Sequence, residues 1–377
     1  MMEKLLRRLE DLAPAVRARA CEADRLARLP REISGALVRH ELFRLWIPRR
    51  AAGLELSLTE ALQIYEAAAC IDGSVGWAVM IGSGGGLFAA YLSSSTAHAL
   101  YSPANAVIAG SGAPDGLAER VAGGYRATGH WRYASGADYA TTFTANCRVV
   151  ERGSPVLASD GAPLIRAMAF DASQVKVIPA WDTSGMRGTG SDDFEVNEVF
   201  VPEERSFSVL TDRPRETGAL YRLPFGVLTE LPVASVALGI ARHVLEAFES
   251  LARRKKGYGS SQPMALDPFV QARFAEGHAS WRLIKAGLDR LAARAWQVAS
   301  SSGALSSREL AEITAGCAVS VARLSAVAGE LIAVSGMTGI QMGEEIARAW
   351  RDLQTVAAHT SVSPRHLTGA GATLLTS

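Results

Sequence analysis

The chain has 377 residues, enough for two or three domain-sized units, and 48% of them are hydrophobic, which excludes a disordered polymer. Lys and Arg number 39 against 38 Asp and Glu, so no charge excess points to nucleic acid or to an anionic membrane surface as a partner. Cys21, Cys70, Cys147 and Cys317 lie far apart with no CxxC pair, which predicts a reducing, cytoplasmic setting and neither a disulfide framework nor a metal site.

In chain order, the segment from Met1 to Glu10 is too charged for a signal-peptide core. Leu5, Leu9, Leu12 and Val16 recur at helical spacing, with a kink expected at Pro14. Leu29-Pro30 opens a second helix, Ser57 to Glu60 reads as a capping box, and Gly73-Ser74 starts a helix that carries Trp77 into the glycine cluster Gly82 to Gly86. Residues 1–105 are therefore expected to be a helical domain.

From 106 to 212 the pattern changes to short alternating runs, expected as a β-domain. Arg120 to Thr128 reads as a hairpin around Gly123-Gly124. Further strands are expected over Thr141 to Glu151, Ile165 to Phe170, Val175 to Ile178 and Phe194 to Val201. Residues 213–377 return to long helical segments, near 227–256, 267–301, 307–338 and 344–361, with a second capping box at Ser306 to Glu309. Helices of this length must bury apolar faces against one another, most simply as a four-helix bundle. No uninterrupted apolar run approaches the roughly 18 residues of a membrane span, so the chain reads as soluble.

Three segments carry chemistry-bearing residues. Trp181 to Ser191 holds three glycines and four hydroxyl side chains in eleven residues, a composition suited to a backbone that approaches and hydrogen-bonds a ligand. Gly129 to Ala137 includes Trp131 and Ser135, and Arg348 to His359 places Arg351-Asp352 ahead of a histidine. Neither glycine cluster follows a strand and opens a helix in a βαβ unit, so a Rossmann site is not expected. Walker A, GxSxG and HExxH patterns are all missing from the sequence.

The Trp181 to Ser191 segment with the following Val199 to Glu203, together with the order helices, β-domain, helices, resembles the acyl-CoA dehydrogenase superfamily. More narrowly, it resembles the branch of two-component, reduced-flavin-dependent monooxygenases. The likeness covers nearly the whole chain and implies a mainly α fold with a central β-barrel and a C-terminal four-helix bundle. It implies reduced FMN or FAD made by a separate NAD(P)H:flavin reductase, with a flavin hydroperoxide passing one oxygen atom of O2 to a small aromatic substrate. Ser135 and His359 are implied as the catalytic pair that orients and protonates the peroxide. Flavin contacts are implied for Trp131 and for the loop through Trp181, Thr183, Ser184, Arg187, Gly188 and Thr189. In the basic run Arg253 to Lys256, Arg254 and Lys255 are implied to reach a neighbouring subunit's flavin phosphate in a homotetramer.

The resemblance has departures. Dehydrogenases need a carboxylate base, yet no Asp or Glu occurs after Asp352, and Glu230 is the remaining candidate on an earlier helix. Phenol-hydroxylating relatives carry a histidine about eight residues after the counterpart of Trp77, where this chain has Gly85. That absence of a base, within small side chains, points to a bulkier ring such as indole or indole-3-acetate. An acyl-CoA dehydrogenase and a non-catalytic homologue stay open as alternatives.

Overall fold

A computed structural model describes residues 1–257 and 259–377. Five helices lead: α1 (Met2–Leu26), α2 (Arg31–Arg39), α3 (Leu58–Ile71), α4 (Gly73–Gly84) and α5 (Ser94–Tyr101). Ser57 and Glu60 complete the capping box of α3, and Asp72 caps α4 by accepting from the backbone N–H of Ser74 and Val75. Helix α1 runs unbroken through Pro14.

Eight strands follow: β1 (Ile108–Val121), β2 (Gly124–Ala134), β3 (Thr142–Glu151), β4 (Ser154–Pro155), β5 (Ile165–Asp171), β6 (Lys176–Ile178), β7 (Asp192–Pro202) and β8 (Ser206–Phe207). They form one mixed sheet in the order β6-β7-β2-β1-β3-β5-β8, with β4 paired to β3. The ladder ends at β6 and β8, of three and two residues, so the sheet stays open where a closed barrel was expected. The β1–β2 hairpin closes at Val121 opposite Gly124, with Gly123 at φ +79°. Strands β1 and β3 are parallel, and a register shift between Ser111 and Gly116 bends β1.

The helices α6 (Val227–Arg254), α7 (Pro268–Ser300), α8 (Ser307–Val334), α9 (Glu345–Ala357) and α10 (His366–Thr376) complete the chain. Helix α6 is central, touching α3, α4, α7, α8 and α9. The capping box at Ser306 and Glu309 starts α8. One apolar core joins the N-terminal and C-terminal helices through Leu62, Tyr65, Leu238 and Val244, while a second lies in the sheet around Trp131, Phe143, Phe170 and Phe194.

Three helical stretches, Gly73–Tyr91, Val227–Arg254 and Ser307–Val334, are long and apolar enough to cross a membrane by length and composition, contrary to the reading of the sequence. The fold covers the most apolar windows of the first two by 83% and 89%. Their hydropathy reflects burial on most sides. The corresponding window of Ser307–Val334 is only 44% buried.

Candidate functional site: a neutral cavity between sheet and helices

A cavity of about 220 Å³ lies where the sheet meets the helices. The sheet contributes Ile108–Gly112 of β1 and Thr144–Asn146 of β3; α4 contributes Met80, Ile81 and Gly84, and α6 contributes Leu228, Thr229 and Val233. His359 and Ser361 form the remaining polar wall. Among the described residues, His359 is the only ionisable side chain lining the cavity. Hydroxyls and the Asn146 amide supply the rest of its polarity, so the cavity suits an uncharged, mostly apolar guest.

His359 sits just past α9 and caps the turn at Thr360–Val362, its Nδ1 accepting the backbone N–H of Ser361 at 3.3 Å. Accepting at Nδ1 requires the neutral tautomer with the proton on Nε2. Burial lowers the pKa of this imidazole, which holds it neutral. His359 is thus built as a hydrogen-bond donor through Nε2–H. Trp77 of α4 meets its ring edge-on, with centroids 5.1 Å apart.

Trp77 also connects the histidine to Ser135, which lies at the end of β2 and does not itself line the cavity. Trp77 Nε1–H donates to Ser135 Oγ at 2.9 Å; Ser135 Oγ lies 2.7 Å from Ser191 Oγ, and Ser191 Oγ lies 2.7 Å from Thr189 Oγ1. Thr189 Oγ1–H donates to the Met186 carbonyl at 2.8 Å. One hydroxyl has one proton, so the direction of every link follows. Thr189 accepts from Ser191, Ser191 accepts from Ser135, and Ser135 accepts from Trp77. The Ser135 proton is already engaged, leaving this oxygen able to offer only a lone pair to a further partner. The sequence pointed to Ser135 as a donor; the network makes it an acceptor.

The loop from Trp181 to Ser191 is folded largely onto itself and onto the helices. Trp181 Nε1–H donates to Met186 O at 2.9 Å, and Thr183 Oγ1–H to Gly185 O at 2.8 Å. Arg187 is held by Asp182, by the Thr183 carbonyl and by the Asp24 carbonyl of α1. From α9, Arg351 donates to the exposed Ser184's carbonyl and to the Asp24 carboxylate, each at 2.7 Å, while Asp352 accepts the Met186 N–H. Asp352 is fully enclosed; burial, and then the neighbouring Asp72, push its carboxyl above the ordinary carboxylate range.

The glycines serve this clamp. A Cβ on Gly185 would collide with the Arg351 carbonyl, and one on Gly188 would come 2.9 Å from the Ser74 Cβ. Gly188 and Thr189 are buried packing and network residues rather than surfaces presented to a cofactor, a correction to the expectation for them.

Trp131 is also corrected. It is 0% exposed, stacks on Phe194 with centroids 5.1 Å apart, and donates to the Asn146 carbonyl, so it reaches no ligand without opening the sheet core. The register shift after Trp131 and a φ of +68° at Tyr133 turn that residue outward instead, against the edge of Trp181. Arg254 pairs with Glu344, and Lys255 Nζ donates to the Ser335 carbonyl. Glu230 points away from the cavity and accepts from Thr314 on α8 at 2.9 Å; burial raises its pKa. Asp and Glu are both missing from the cavity lining among the described residues. No carboxylate base therefore faces this cavity among the described residues.

Reading the sequence missed Trp77 and Ser191 as site residues, and Tyr133 as the outward aromatic. Only the positive φ that the fold imposes distinguishes Tyr133 from Trp131, while Trp77 meets Ser135 across 58 positions.

A flavin ring fits this junction. The walls are apolar or neutral, Ser135 Oγ keeps a lone pair and His359 an Nε2–H next to Trp77, and a Cβ on Gly112 would meet only open space.

Residues 231–364 match the family model described as acyl-CoA dehydrogenase, C-terminal domain. The chain is similar to an indole-3-acetate monooxygenase of Pseudomonas putida, 29% identical over 358 residues, which are 94% of this chain and 90% of that protein. It is similar to the oxygenase subunit HsaA of a flavin-dependent monooxygenase from Rhodococcus jostii, 27% identical, covering 95% and 94% of the two chains. Among solved structures, XiaF from Streptomyces sp. in complex with FADH2 and glycerol superposes with a TM-score of 0.89 at 24% identity, over 99% of this chain and 94% of that one. The likeness to XiaF is one of fold. Residues 231–364 thus carry the match to an acyl-CoA dehydrogenase C-terminal domain, and over nearly its whole length the chain is similar to oxygenase subunits of flavin-dependent monooxygenases.

Proposed function

We propose that the chain is the oxygenase component of a two-component monooxygenase that hydroxylates or epoxidises a small aromatic compound. The observation that carries this reading is the neutral cavity whose only ionisable lining group, among the described residues, is a neutral histidine. Reduced FMN or FAD, when bound, supplies two electrons that carry one atom of O2 into the substrate and the other into water.

The protein's part is to bind, orient and keep dry. Met80, Leu87, Phe88, Phe207 and Val233 exclude water from the reacting centre, where it would divert the bound oxygen to free peroxide. With its Nδ1 engaged by Ser361, His359 would offer Nε2–H to oxygen where charge develops, without adding a positive charge of its own. Ser135, locked as an acceptor, would take a hydrogen bond from a ring N–H, and the clamp of Arg351 and Asp352 on the loop fixes Ser191 and Thr189 behind it. Trp181 and Thr183 belong to the same loop. The pocket's lack of charge favours the aromatic body of the substrate, with indole or indole-3-acetate the class that fits; an acetate group would point to solvent.

The half-covered apolar helix α8 supports assembly through a second copy, as a homotetramer whose long C-terminal helices form the bundle. There Arg254, exposed although paired with Glu344, would exchange that partner for an adjoining copy's flavin phosphate. Four free cysteines fit a reducing, cytoplasmic setting, with the flavin arriving from a separate NAD(P)H-dependent reductase.

The test is a single turnover. Protein with chemically reduced FMN or FAD and indole is mixed with O2, and oxygenated product and hydrogen peroxide are counted per flavin oxidised. Product accounting for most of the flavin supports the reading; peroxide alone removes it.

A further inference from the structure

The glycine cluster on α4 and the turn after it divides into two kinds. A Cβ on Gly82 would collide with the Phe43 ring, one on Gly85 would come 2.7 Å from Ile108, and one on Gly86 2.7 Å from Ile47. Those three glycines are demanded by neighbours. At Gly84 a Cβ would meet nothing within 4 Å, and the backbone is ordinary right-handed helix at φ −61° and ψ −40°. Glycine is among the poorest helix formers, so its place there is explained neither by packing nor by backbone conformation.

What does lie beside Gly84 is the cavity. Met80, Ile81, Leu87 and Phe88, three and four positions to either side, all line the same wall. Gly84 is thus a notch in an otherwise bulky apolar face.

We propose that Gly84 sets the size limit of the substrate, its missing side chain making room for the second ring of a fused aromatic. This rests on the cavity being the substrate site. A side chain at 84 projects into the space and leaves the other walls untouched, so it costs two-ring guests far more than one-ring guests. A misplaced methylene-sized group in an apolar pocket changes discrimination by roughly 10- to 200-fold.

The experiment measures equilibrium binding of indole and of phenol to the flavin-free full chain, for the native protein, Gly84→Ala and Gly84→Leu, with thermal midpoints in parallel. Expected are a loss of indole affinity of at least about 10-fold in Gly84→Leu, a smaller loss in Gly84→Ala, and phenol affinity held within about 3-fold. Neither variant should melt below the native protein. Should Gly84→Leu fail to fold, Gly84→Ala carries the comparison. Unchanged indole affinity, equal losses for both ligands, lower midpoints in both variants, or a native protein that binds neither ligand overturns the proposal. Because binding is read without flavin or oxygen, a size-selective series with no oxygenated product would retain the notch and remove the oxygenase reading. A flat series with good product yield would do the reverse.

Discussion

Trp77 gives its indole N–H to Ser135 at 2.9 Å while its ring packs edge-to-face with that of His359, centroids 5.1 Å apart, so one indole holds both candidate catalytic side chains. Reduced flavin presents a ring N–H where oxidised flavin presents a lone pair, and an obligate acceptor at Ser135 distinguishes the two. Ser191→Ala frees the Ser135 proton and lets it donate again. The preference for reduced over oxidised flavin should then narrow by about 10-fold, the worth of one hydrogen bond of about 1 to 1.5 kcal/mol. Anaerobic titrations with both redox forms measure this ratio; an unaltered ratio separates Ser135 from the flavin.

His359 separates into two roles that two variants can resolve. Asn is a good cap and can keep the bond to the Ser361 N–H, whereas Ala removes both the cap and the imidazole. Each should lower product formation by about 100-fold, the typical worth of a placed proton donor, with His359→Asn retaining the native thermal midpoint. Native product yield in His359→Ala takes the imidazole out of the reaction.

The lowered pKa of His359 also fixes the sign of a pH effect. Its neutral form is favoured in the folded protein, so this contribution to stability is complete above the ordinary histidine value of about 6.5. It is lost as pH falls through the lower, folded value. Coupling of flavin oxidation to product should be flat above about pH 6.5 and fall only in acid. A profile that keeps rising through pH 7 to 8 contradicts a neutral donor.

Asp352 has the opposite sign. Its raised pKa means its contribution is complete below the ordinary Asp value of about 3.9 and is lost as pH rises through the folded value. Asp352→Asn keeps the shape and a carbonyl acceptor for the Met186 N–H, so it should flatten the fall in stability with rising pH. Denaturant midpoints of both proteins across that range measure it, and parallel curves would show the carboxyl to be unperturbed.

Gly185→Ala tests the clamp itself. A methyl there meets the Arg351 carbonyl, so a cost of about 1 to 3 kcal/mol and a displaced loop are expected. A denaturant midpoint equal to that of the native protein would mean the loop does not press against α9.

Local features were legible in the sequence because their determinants are local. Ser57 with Glu60 and Ser306 with Glu309 form the capping boxes their spacing predicts, and Gly123 turns the hairpin. The site was less legible. Composition marked Gly185 and Gly188 as ligand-facing, but a glycine suits close packing as well as close binding, and here α9 and α4 supply the neighbours. Trp131 and Tyr133 look equivalent until a register shift buries one and exposes the other. Glu230 was a plausible base in sequence; the helix face that turns it toward Thr314 is set by tertiary packing.

The most direct measurement is the origin of the oxygen atom. The protein, reduced flavin and indole are supplied with 18O2 in ordinary water, and the product is weighed by mass spectrometry. One 18O atom per product molecule is the predicted result. Product carrying only oxygen from water, or a two-electron oxidation of substrate without oxygen insertion, would contradict the account.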